Sequence, residues 1–495
     1  LGFILIPKGF FPLQDIGFLT GSTQARPDIS FEEMTQKHRA VERIIAADPA
    51  IARYAHAVGP TSTNQLNSGG RLWLVLKDRA DRDADASEVI DRLRPKLAQI
   101  PDLQVVLRAQ QDINLTAGTP RAQYLYVLRA QDSEQLNEWT QQLTDRLRDS
   151  PKYMDVSNDL VLGASVTRVA IDRGAAARFG LTASDIDNAL YDAFGQRQIN
   201  EIQTETNQYK IILELSTAQR GDVESLAYFR LRSPTSGELV PLSAVATVQP
   251  PETGLLSIAH DGMQPAANIS FNLAPGVALG DAVNTLNAIR AEMGMPVSVI
   301  GTFQGAARAF EDSLASQPLL ILAAVLAVYI ILGVLYESFV HPLTILSTLP
   351  SAATGAILLL WVSGTDFSIM ALIGAILLIG IVKKNGILMI DFALHAQHER
   401  GLAPEAAIHE ACLTRFRPIL MTTLAALFGA VPLTLGLGTG AELRQPLGLA
   451  IVGGLILSQM LTLFTTPVVY LTLDRLLRQR KAKSMQTIAT GELPM

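Results

Sequence analysis

The sequence predicts an α+β soluble part, made of two ferredoxin-like split βαβ units with an insert, followed by an all-α transmembrane bundle of five helices. Two observations lead to this fold class. Charged residues occur in nearly every ten-residue block of residues 7–316 and are absent from long stretches after residue 317. In the first part, the order of strand-like and helix-like segments repeats, which indicates two similar α/β units.

The composition narrows the class of protein. The 495 residues include 40 Lys and Arg against 46 Asp and Glu, and the net charge of -6 argues against nucleic-acid binding through bulk basicity. Only 17% of the residues are charged, below the roughly 25% of ordinary soluble domains, and the mean hydropathy is +0.25. The single cysteine, Cys412, excludes an internal disulfide framework.

Residues 7–112 are predicted to form the first α/β unit. Strand-like segments lie at 16–24, 51–58, 71–77 and 103–108, and helical segments lie at 30–47 and 86–99. Ser30 and Glu33 have the spacing of a helix capping box. The resulting order, β-α-β-β-α-β, is that of the split βαβ fold.

A second unit of the same kind is predicted in two parts, residues 113–159 and 249–310. The predicted strands and helices of these parts lie at 122–128, 133–149, 153–157, 255–260, 267–273, 279–292 and 297–301. Residues 160–248 form an α+β insert with a helix at 183–194. The soluble part contains no phosphate-binding loop and no hydrolase motif, so no enzyme is predicted.

Five spanning helices are predicted within residues 311–478, because a span needs about 20 mainly apolar residues. The uncharged runs are residues 317–336, 338–365, 367–382, 418–441 and 445–473. The third run is long enough if its helix continues through Lys383 and Lys384. Residues 1–6 are apolar and are predicted to end a preceding transmembrane helix, so the chain is expected to be a fragment.

Basic residues predict the orientation of the bundle. The cytoplasmic side is marked by a basic C-terminal segment, which continues into a predicted tail at 479–495 and contains Arg475, Arg478, Arg480, Lys481 and Lys483. Counting back across five spans places a loop at 394–417 on the same side. The large soluble part then lies outside, in the periplasm of a Gram-negative cell.

Polar residues lie at membrane depth in two of the helices. Lys384 and Asn385 interrupt an apolar segment, and Asp391 follows two turns after the lysine. Arg415 opens the next helix, with Thr422 two turns further on the same face. An ionisable residue in a span either faces a partner or extends to the interface. Proton-driven carriers need the first arrangement; snorkelling cations and a threonine bonded to its own backbone remain alternatives.

Three other groups of residues do not predict a binding or catalytic site. No metal site is predicted, because no standard ligand spacing occurs among His395, His398, His409 and Cys412. Metal export is not predicted either, since the methionines of the soluble part are scattered at Met34, Met154, Met263, Met293 and Met295. Close helix packing is predicted at the small residues Gly448, Gly453, Gly454 and Ser458.

Three long motifs resemble the C-terminal half of a resistance-nodulation-division (RND) efflux transporter. They are LYESFVHPLTILSTLP at 335–350, IGIVKKNGILMIDFA at 379–393 and RFRPILMTTLAALFGAVPL at 415–433. The run KKNGILMIDFA, together with ELRQPLG, is similar to the heteromeric multidrug (Mdt-type) branch. The resemblance implies a fragment of a 12-helix transporter, in which the two α/β units are periplasmic porter subdomains and the insert belongs to the docking domain.

The resemblance also implies functional residues. A proton relay, which in the family exchanges partners with an aspartate pair on the fourth helix, falls on Lys384, Asn385, Arg415 and Thr422. The family's switch loop corresponds to VGPTSTNQLNSGG at 58–70, where the markers of a substrate-channel loop are Gly59, Gly69 and Gly70. The facing segment, 105–118, is polar where many relatives are aromatic.

The implied function is proton-driven efflux of drugs or amphiphilic small molecules from the periplasm or the outer leaflet. The protein is then a drug:H⁺ antiporter of the bacterial inner membrane and needs no cofactor besides the coupling proton. Its implied partners are RND subunits in a homo- or heterotrimer, a periplasmic adaptor, an outer-membrane channel, small-molecule substrates and membrane lipid, with no nucleic acid. Two alternatives are a proton-driven protein-export accessory and a structural, non-transporting subunit of a heteromeric pump.

Overall fold

A computed structural model describes residues 2–59, 67–115, 121–160, 164–216, 223–254 and 258–490. Some predicted features lie partly outside these ranges. They are residues 60–66 of the glycine-containing loop, residues 116–118 of the facing segment, residues 255–257 of a predicted strand, and the basic side chains that follow Arg475.

The first α/β unit follows a short helix, α1 (Gly2–Leu5). Its elements are β1 (Phe18–Ala25), α2 (Phe31–Ala46), β2 (Ile51–Val58), β3 (Gly69–Leu76), α3 (Ala86–Leu97) and β4 (Leu103–Ala109). The strands form one antiparallel sheet in the order β2-β3-β1-β4. The predicted element order of this segment is therefore confirmed.

Apolar faces of α2 and α3 pack on one face of this sheet. Their buried residues recur at helical spacing and meet buried leucines of β1 and β3 in one cluster, which includes Met34, Val41, Ile45, Val89, Leu93, Leu19, Leu72 and Leu74. The capping box predicted for α2 is only half formed. Ser30 Oγ accepts the backbone N–H of Glu33 at 3.1 Å, but the Glu33 carboxylate lies 3.6 Å from Lys37 Nζ instead of closing the box.

The second unit begins with β5 (Tyr124–Arg129), α4 (Ser133–Asp149) and β6 (Tyr153–Asn158). The insert then contains β7 (Ala164–Val166), β8 (Val169–Ile171), α5 (Arg173–Arg178), α6 (Ala183–Phe194), β9 (Arg197–Gln203), β10 (Gln208–Leu213), β11 (Arg230–Arg232), β12 (Leu239–Pro241), β13 (Ala246–Val248) and β14 (Glu252–Gly254). Its strands pair only with one another in the described residues, as β7 with β14, β8 with β13, β9 with β10 and β11 with β12. The pairing of β7 with β14 holds the two ends of the insert together.

After the insert, the chain completes the second sheet. The remaining elements of the unit are β15 (Ala259–Asp261), β16 (Gln264–Leu273), α7 (Leu279–Met293) and β17 (Ile300–Gln304). The sheet has the order β15-β16-β5-β17, and β6 pairs with β16. A core of buried side chains from β5, α4, β16 and α7 lies beneath it.

The helical part contains α8 (Ala306–Tyr336), α9 (His341–Leu346), α10 (Leu349–Val362), α11 (Ile369–Arg400), α12 (Pro404–Thr434) and α13 (Ala441–Thr490). Among the described residues, five segments are long and apolar enough to cross a membrane: Ala306–Tyr336, His341–Val362, Ile369–Arg400, Pro404–Thr434 and Ala441–Arg475. The second of these consists of α9 and α10 in succession. The predicted number of spans is confirmed.

Several helix boundaries differ from the predictions. Helix α8 already begins at Ala306, because Ala307 and Phe310 in its first turns are buried against the second α/β unit. The predicted loop at 394–417 is almost entirely helical, and only residues 401–403 separate α11 from α12. Asp391 therefore lies within α11.

Helices α10 and α13 cross with their backbones in close approach. A Cβ atom on Gly453 would lie 2.5 Å from the carbonyl oxygen of Gly355, and a Cβ on Gly355 would lie 2.4 Å from that of Gly453. A Cβ on Gly448 would lie 2.8 Å from the backbone of Leu433. These contacts confirm the close packing predicted for the small residues of the last span.

Candidate functional site

Helix α11 carries the predicted relay lysine near its middle. The helix begins after Ser368, whose Oγ accepts the backbone N–H of Ala371 at 3.3 Å. Lys384 is exposed, whereas the next residue, Asn385, is buried, because neighbouring helical positions point about 100° apart. Lys384 has no hydrogen bond or ion pair within the part of the chain that the structure describes. Asp391 is also exposed, roughly 10 Å further along the helix axis.

Asn385 belongs to a buried hydrogen-bond network that joins three helices. Its Nδ2 donates to Thr423 Oγ1 of α12 at 3.1 Å and to Gln459 Oε1 of α13 at 3.3 Å. Thr423 Oγ1 in turn donates to Gln459 Oε1 at 2.8 Å. Hydrogen bonds between polar side chains at membrane depth hold neighbouring helices together, so the network links α11, α12 and α13.

Two members of this network, Thr423 and Gln459, were not among the predicted site residues. The sequence does distinguish Gln459, because it is the only amide side chain between residues 446 and 473. Its Nε2 is buried and has no acceptor among the described residues. A buried donor without an acceptor costs about 1–3 kcal/mol, so the network can take one further acceptor.

Arg415 and Thr422 of α12 lie outside this network. The guanidinium of Arg415 lies 5.2 Å from the ring centre of Phe392 on α11, a cation–π contact. Its Nε is buried without a hydrogen-bond acceptor in the described part of the chain. Thr422 is exposed, and its Oγ1 donates to the carbonyl oxygen of Ile419 at 3.1 Å.

The four predicted relay residues therefore fall into separate environments. Asn385 faces the interior of the bundle, Lys384 and Thr422 lie on exposed surfaces, and Arg415 stacks on an aromatic ring. The structure does not join them through direct contacts among the described residues. If these four residues act together, another protein surface must contact the exposed side chains of Lys384 and Thr422.

A cavity of about 290 Å³ lies between the two α/β units and the segment that follows α1. Its lining includes the aromatic rings of Phe10, Phe11 and Tyr124 and the polar side chains of Arg108 and Asp366. Burial, and secondarily the negative charge of Asp281, raise the pKa of the Asp366 carboxyl. The aromatic surface comes from residues 10–11 and from β5, and no binding role was predicted for either segment.

An ion pair joins the two α/β units beside this cavity. Arg94 of α3 donates from Nη2 to Asp155 Oδ2 of β6 at 3.1 Å, and its Nε lies 3.2 Å from both carboxylate oxygens. Asn272 of β16 donates from Nδ2 to Asp155 Oδ2 at 2.8 Å. Arg94 and Asn272 also line the cavity.

The glycines predicted to mark a substrate-channel loop lie at the far ends of β2 and β3. Gly59 has a φ of 103°, a conformation that favours glycine, and its backbone N–H donates to the carbonyl oxygen of Gly69 at 3.2 Å. A Cβ on Gly70 would lie 2.4 Å from His38 Nε2. Gly59, Gly69 and Gly70 are not among the described residues that line the cavity between the units.

These features are those of a membrane protein in which a bundle of spanning helices carries an α/β part and contains polar residues at membrane depth. The chain matches the AcrB/AcrD/AcrF family over residues 1–474 and belongs to that family, whose members are RND efflux transporters. Two crystal forms of a heavy metal efflux pump share its fold. Their TM-scores are 0.84 and 0.83, at 22% and 21% identity, over 96% and 95% of this chain. The chain spans 49% and 48% of the lengths of those two structures.

Proposed function

We propose that the protein is a subunit of a proton-driven exporter and that Lys384 is its relay cation. The supporting observation is the position of Lys384, exposed in the middle of a 32-residue apolar helix and without a partner among the described residues. A lysine facing lipid at that depth costs a few kcal/mol or more. Its surface is therefore expected to meet another helix of the whole transporter.

By resemblance, that helix is the family's fourth, with its aspartate pair. Protonation of the pair would weaken its attraction to Lys384 and change the preferred arrangement of the two helix groups. Asn385, Thr423 and Gln459 would keep α11, α12 and α13 together during this movement, because they bond across all three helices. Arg415 and Thr422 would complete the relay.

The proposed substrates are drugs or other amphiphilic small molecules. The cavity between the α/β units presents aromatic rings together with a few charged groups, a combination typical of sites for amphiphilic ligands. No Cys, His or Met is among the described residues that line it, so it lacks the soft ligands expected for a heavy-metal substrate. Arg108 and Asp366 would orient a polar substituent while Phe10, Phe11 and Tyr124 contact the apolar body.

The proposed assembly is a tripartite pump, as the resemblance to RND transporters implies. An inner-membrane trimer with a cytoplasmic C-terminus would work with a periplasmic adaptor and an outer-membrane channel, and the two α/β units would be porter subdomains with a docking insert. Membership of the heteromeric Mdt-type branch is proposed from the motifs at residues 383–393 and 442–448. Relay substitutions in each subunit separately would show which subunit of a heterotrimer transports.

The test is substrate efflux driven by an imposed proton gradient, measured on the whole transporter in proteoliposomes. Lys384→Ala should reduce export by more than about tenfold, since losing the charge removes the pairing that protonation controls. The neighbouring Lys383→Ala is the matched control and should retain export, because residue 383 points about 100° away from residue 384. Wild-type export by a correctly folded Lys384→Ala protein would rule out the relay assignment.

A further inference from the structure

Two histidines of the first α/β unit face each other through the same ring nitrogen. His38 lies on α2 and His56 on β2, and their Nδ1 atoms are 3.4 Å apart. The rings are 5.5 Å apart between centres, with their planes 24° from parallel. This pair belongs to neither the relay nor the cavity between the units.

The register of the sheet explains why these side chains meet. Residues opposite each other in an antiparallel pair point to the same face of the sheet. His56 is opposite Leu72, and Thr23 is opposite Gly70. Leu72 is buried beneath the helices, so His56 also points toward them. His38 occupies a core-facing position of α2, where its side chain is buried.

Each imidazole has a second partner at its other nitrogen. His38 Nε2 lies 2.7 Å from Thr23 Oγ1, and His56 Nε2 lies 3.7 Å from a carboxylate oxygen of Glu42. Tyr54 holds that carboxylate by donating from its hydroxyl to the other oxygen at 3.2 Å. When Nε2 of each ring carries the proton that faces these partners, both Nδ1 lone pairs face the space between the rings.

Two opposed lone pairs repel unless a cation lies between them. The separation of 3.4 Å is long for an N–H···N hydrogen bond, whose usual range is about 2.7–3.2 Å. Two nitrogens bound to one tetrahedral metal ion at about 2.0–2.1 Å are roughly 3.3–3.4 Å apart. The metal would lie off the line joining the nitrogens, so each ring would turn slightly toward it.

We propose that His38 and His56 bind one divalent transition-metal ion of the class that prefers imidazole, such as Zn²⁺ or Ni²⁺, through their Nδ1 atoms. Thr23 and Glu42 orient the rings from behind, as hydroxyl and carboxylate partners do at histidine metal sites. Water completes the coordination, because His56 lies on an edge strand with its side chain partly accessible to solvent.

One further observation supports this site. Gly70 leaves room for the ring, because a Cβ there would lie 2.4 Å from His38 Nε2 and 2.6 Å from Thr23 Oγ1. This metal site does not depend on the proposed relay or on the proposed substrate class. A bound ion would fix α2 to the end of β2, beside the contact between Gly59 and Gly69.

The test measures Zn²⁺ and Ni²⁺ binding to the whole transporter in detergent, after removal of metal with a chelator, by competition with a chromophoric chelator. Wild-type protein should bind one more ion per chain than His56→Gln and His38→Gln, or bind it at least tenfold more tightly. Glu42→Gln should weaken binding about 10–100-fold, the effect typical of a carboxylate behind a metal-binding histidine. X-ray absorption of the Zn²⁺ complex should show two imidazole ligands that disappear in both histidine variants.

The matched control is His260→Gln. His260 is exposed on β15, and its Nδ1 lies 3.2 Å from the carbonyl oxygen of Ile258, away from the pair. This variant should bind metal as the wild type does. His56→Gln keeps the test valid if His38→Gln fails to fold, because His56 is only partly buried. Equal metal affinity and stoichiometry in wild type and His56→Gln would overturn the proposal, and a proton shared between the rings would then explain the contact.

Discussion

Asp15 lies where the chain enters the first sheet, and its carboxylate is buried against Arg82. Its Oδ1 accepts from Arg82 Nη2 at 2.6 Å, and its Oδ2 accepts from the backbone N–H of Ala86 at 3.0 Å. Burial acts to raise the pKa of Asp15, but the hydrogen bonds from Arg82 and Gly17 and the charge of Arg82 outweigh it. The net effect lowers the pKa below the ordinary 3.8, so Asp15 is ionised near neutral pH.

Asp15→Asn should lower the free energy of unfolding by about 3–5 kcal/mol near pH 7, because Arg82 is left as a buried charge without a counter-charge. The folded-state pKa of Asp15 is below its unfolded value. The stability from this shift is therefore fully present above pH 3.8 and is lost as the pH falls through the folded-state pKa. Wild-type protein should lose more stability than Asp15→Asn on acidification below pH 3.8. Denaturant unfolding followed by fluorescence measures both effects.

The control for this prediction is Asp28→Asn. Asp28 forms an exposed ion pair with Arg26 at 3.8 Å, and exposed pairs typically contribute about 0–1 kcal/mol. Its substitution should change the free energy of unfolding by less than about 1 kcal/mol. If Asp15→Asn proved no more destabilising than Asp28→Asn, the buried ion pair would not be a main determinant of stability.

Neighbouring residues also show the limit of sequence-based prediction at this scale. The resemblance placed Lys384 and Asn385 in one relay, but only Asn385 points into the described bundle. Thr422 and Thr423 differ in the same way, the first bonding to its own helix backbone and the second to Gln459. A motif assigns residues to a segment, whereas the packing of three helices decides which of two adjacent side chains is buried.

At the scale of elements, the close crossing of α10 and α13 yields a sharp prediction. Gly453→Ala should lower stability by about 1–3 kcal/mol, the usual effect of overpacking, because its Cβ would lie 2.5 Å from the backbone oxygen of Gly355. Gly380→Ala on α11 is the matched control, since a Cβ there meets nothing within 4 Å. It should be neutral or stabilising, because alanine favours helix over glycine by about 1 kcal/mol. Thermal unfolding in detergent compares the two, and equal melting temperatures would contradict the proposed crossing.

The spans were predictable, whereas their ends were not. Charge is excluded from a span by the cost of burying it in lipid, so the uncharged runs located all five. That rule does not say where a helix ends in water. Helix α11 continues to Arg400, beyond the apolar run, because Ala393 and Ala396 remain buried among neighbouring helices. Hydrogen-bonded turns extend wherever tertiary packing supports them.

At the scale of the whole molecule, the relation between the two α/β units was not predictable from either unit. Each sheet follows from its own pattern of strands and helices, but the contacts between units join residues far apart in the chain. Arg94 with Asp155 is such a contact, and Arg121 donates to Gln24 Oε1 across the same boundary at 3.0 Å. The cavity with its aromatic lining exists only because the units are held in this relation.

The ion pair between Arg94 and Asp155 should therefore couple the two units energetically. In a double-mutant cycle with Arg94→Gln and Asp155→Asn, the coupling energy in unfolding should be about 0.5–3 kcal/mol, as for residues in one partly buried network. Asparagine is the suitable replacement at residue 155, because the φ of Asp155 is 54° and asparagine tolerates that conformation better than most residues. Denaturant unfolding of the wild type, both single variants and the double variant measures the coupling.

The exposed pair of Arg148 and Asp145 on α4 is the matched control, at 2.9 Å within a single helix. Its cycle should give about 0.3–0.5 kcal/mol, the usual value for such surface pairs. If the units are joined mainly by other contacts, the Arg94 and Asp155 substitutions will be additive and their cycle will match the control. If the ion pair holds the units together beside the cavity, its coupling will exceed the control. The single variants will then also alter the affinity for any ligand bound in the cavity, because Arg94 contributes to its lining.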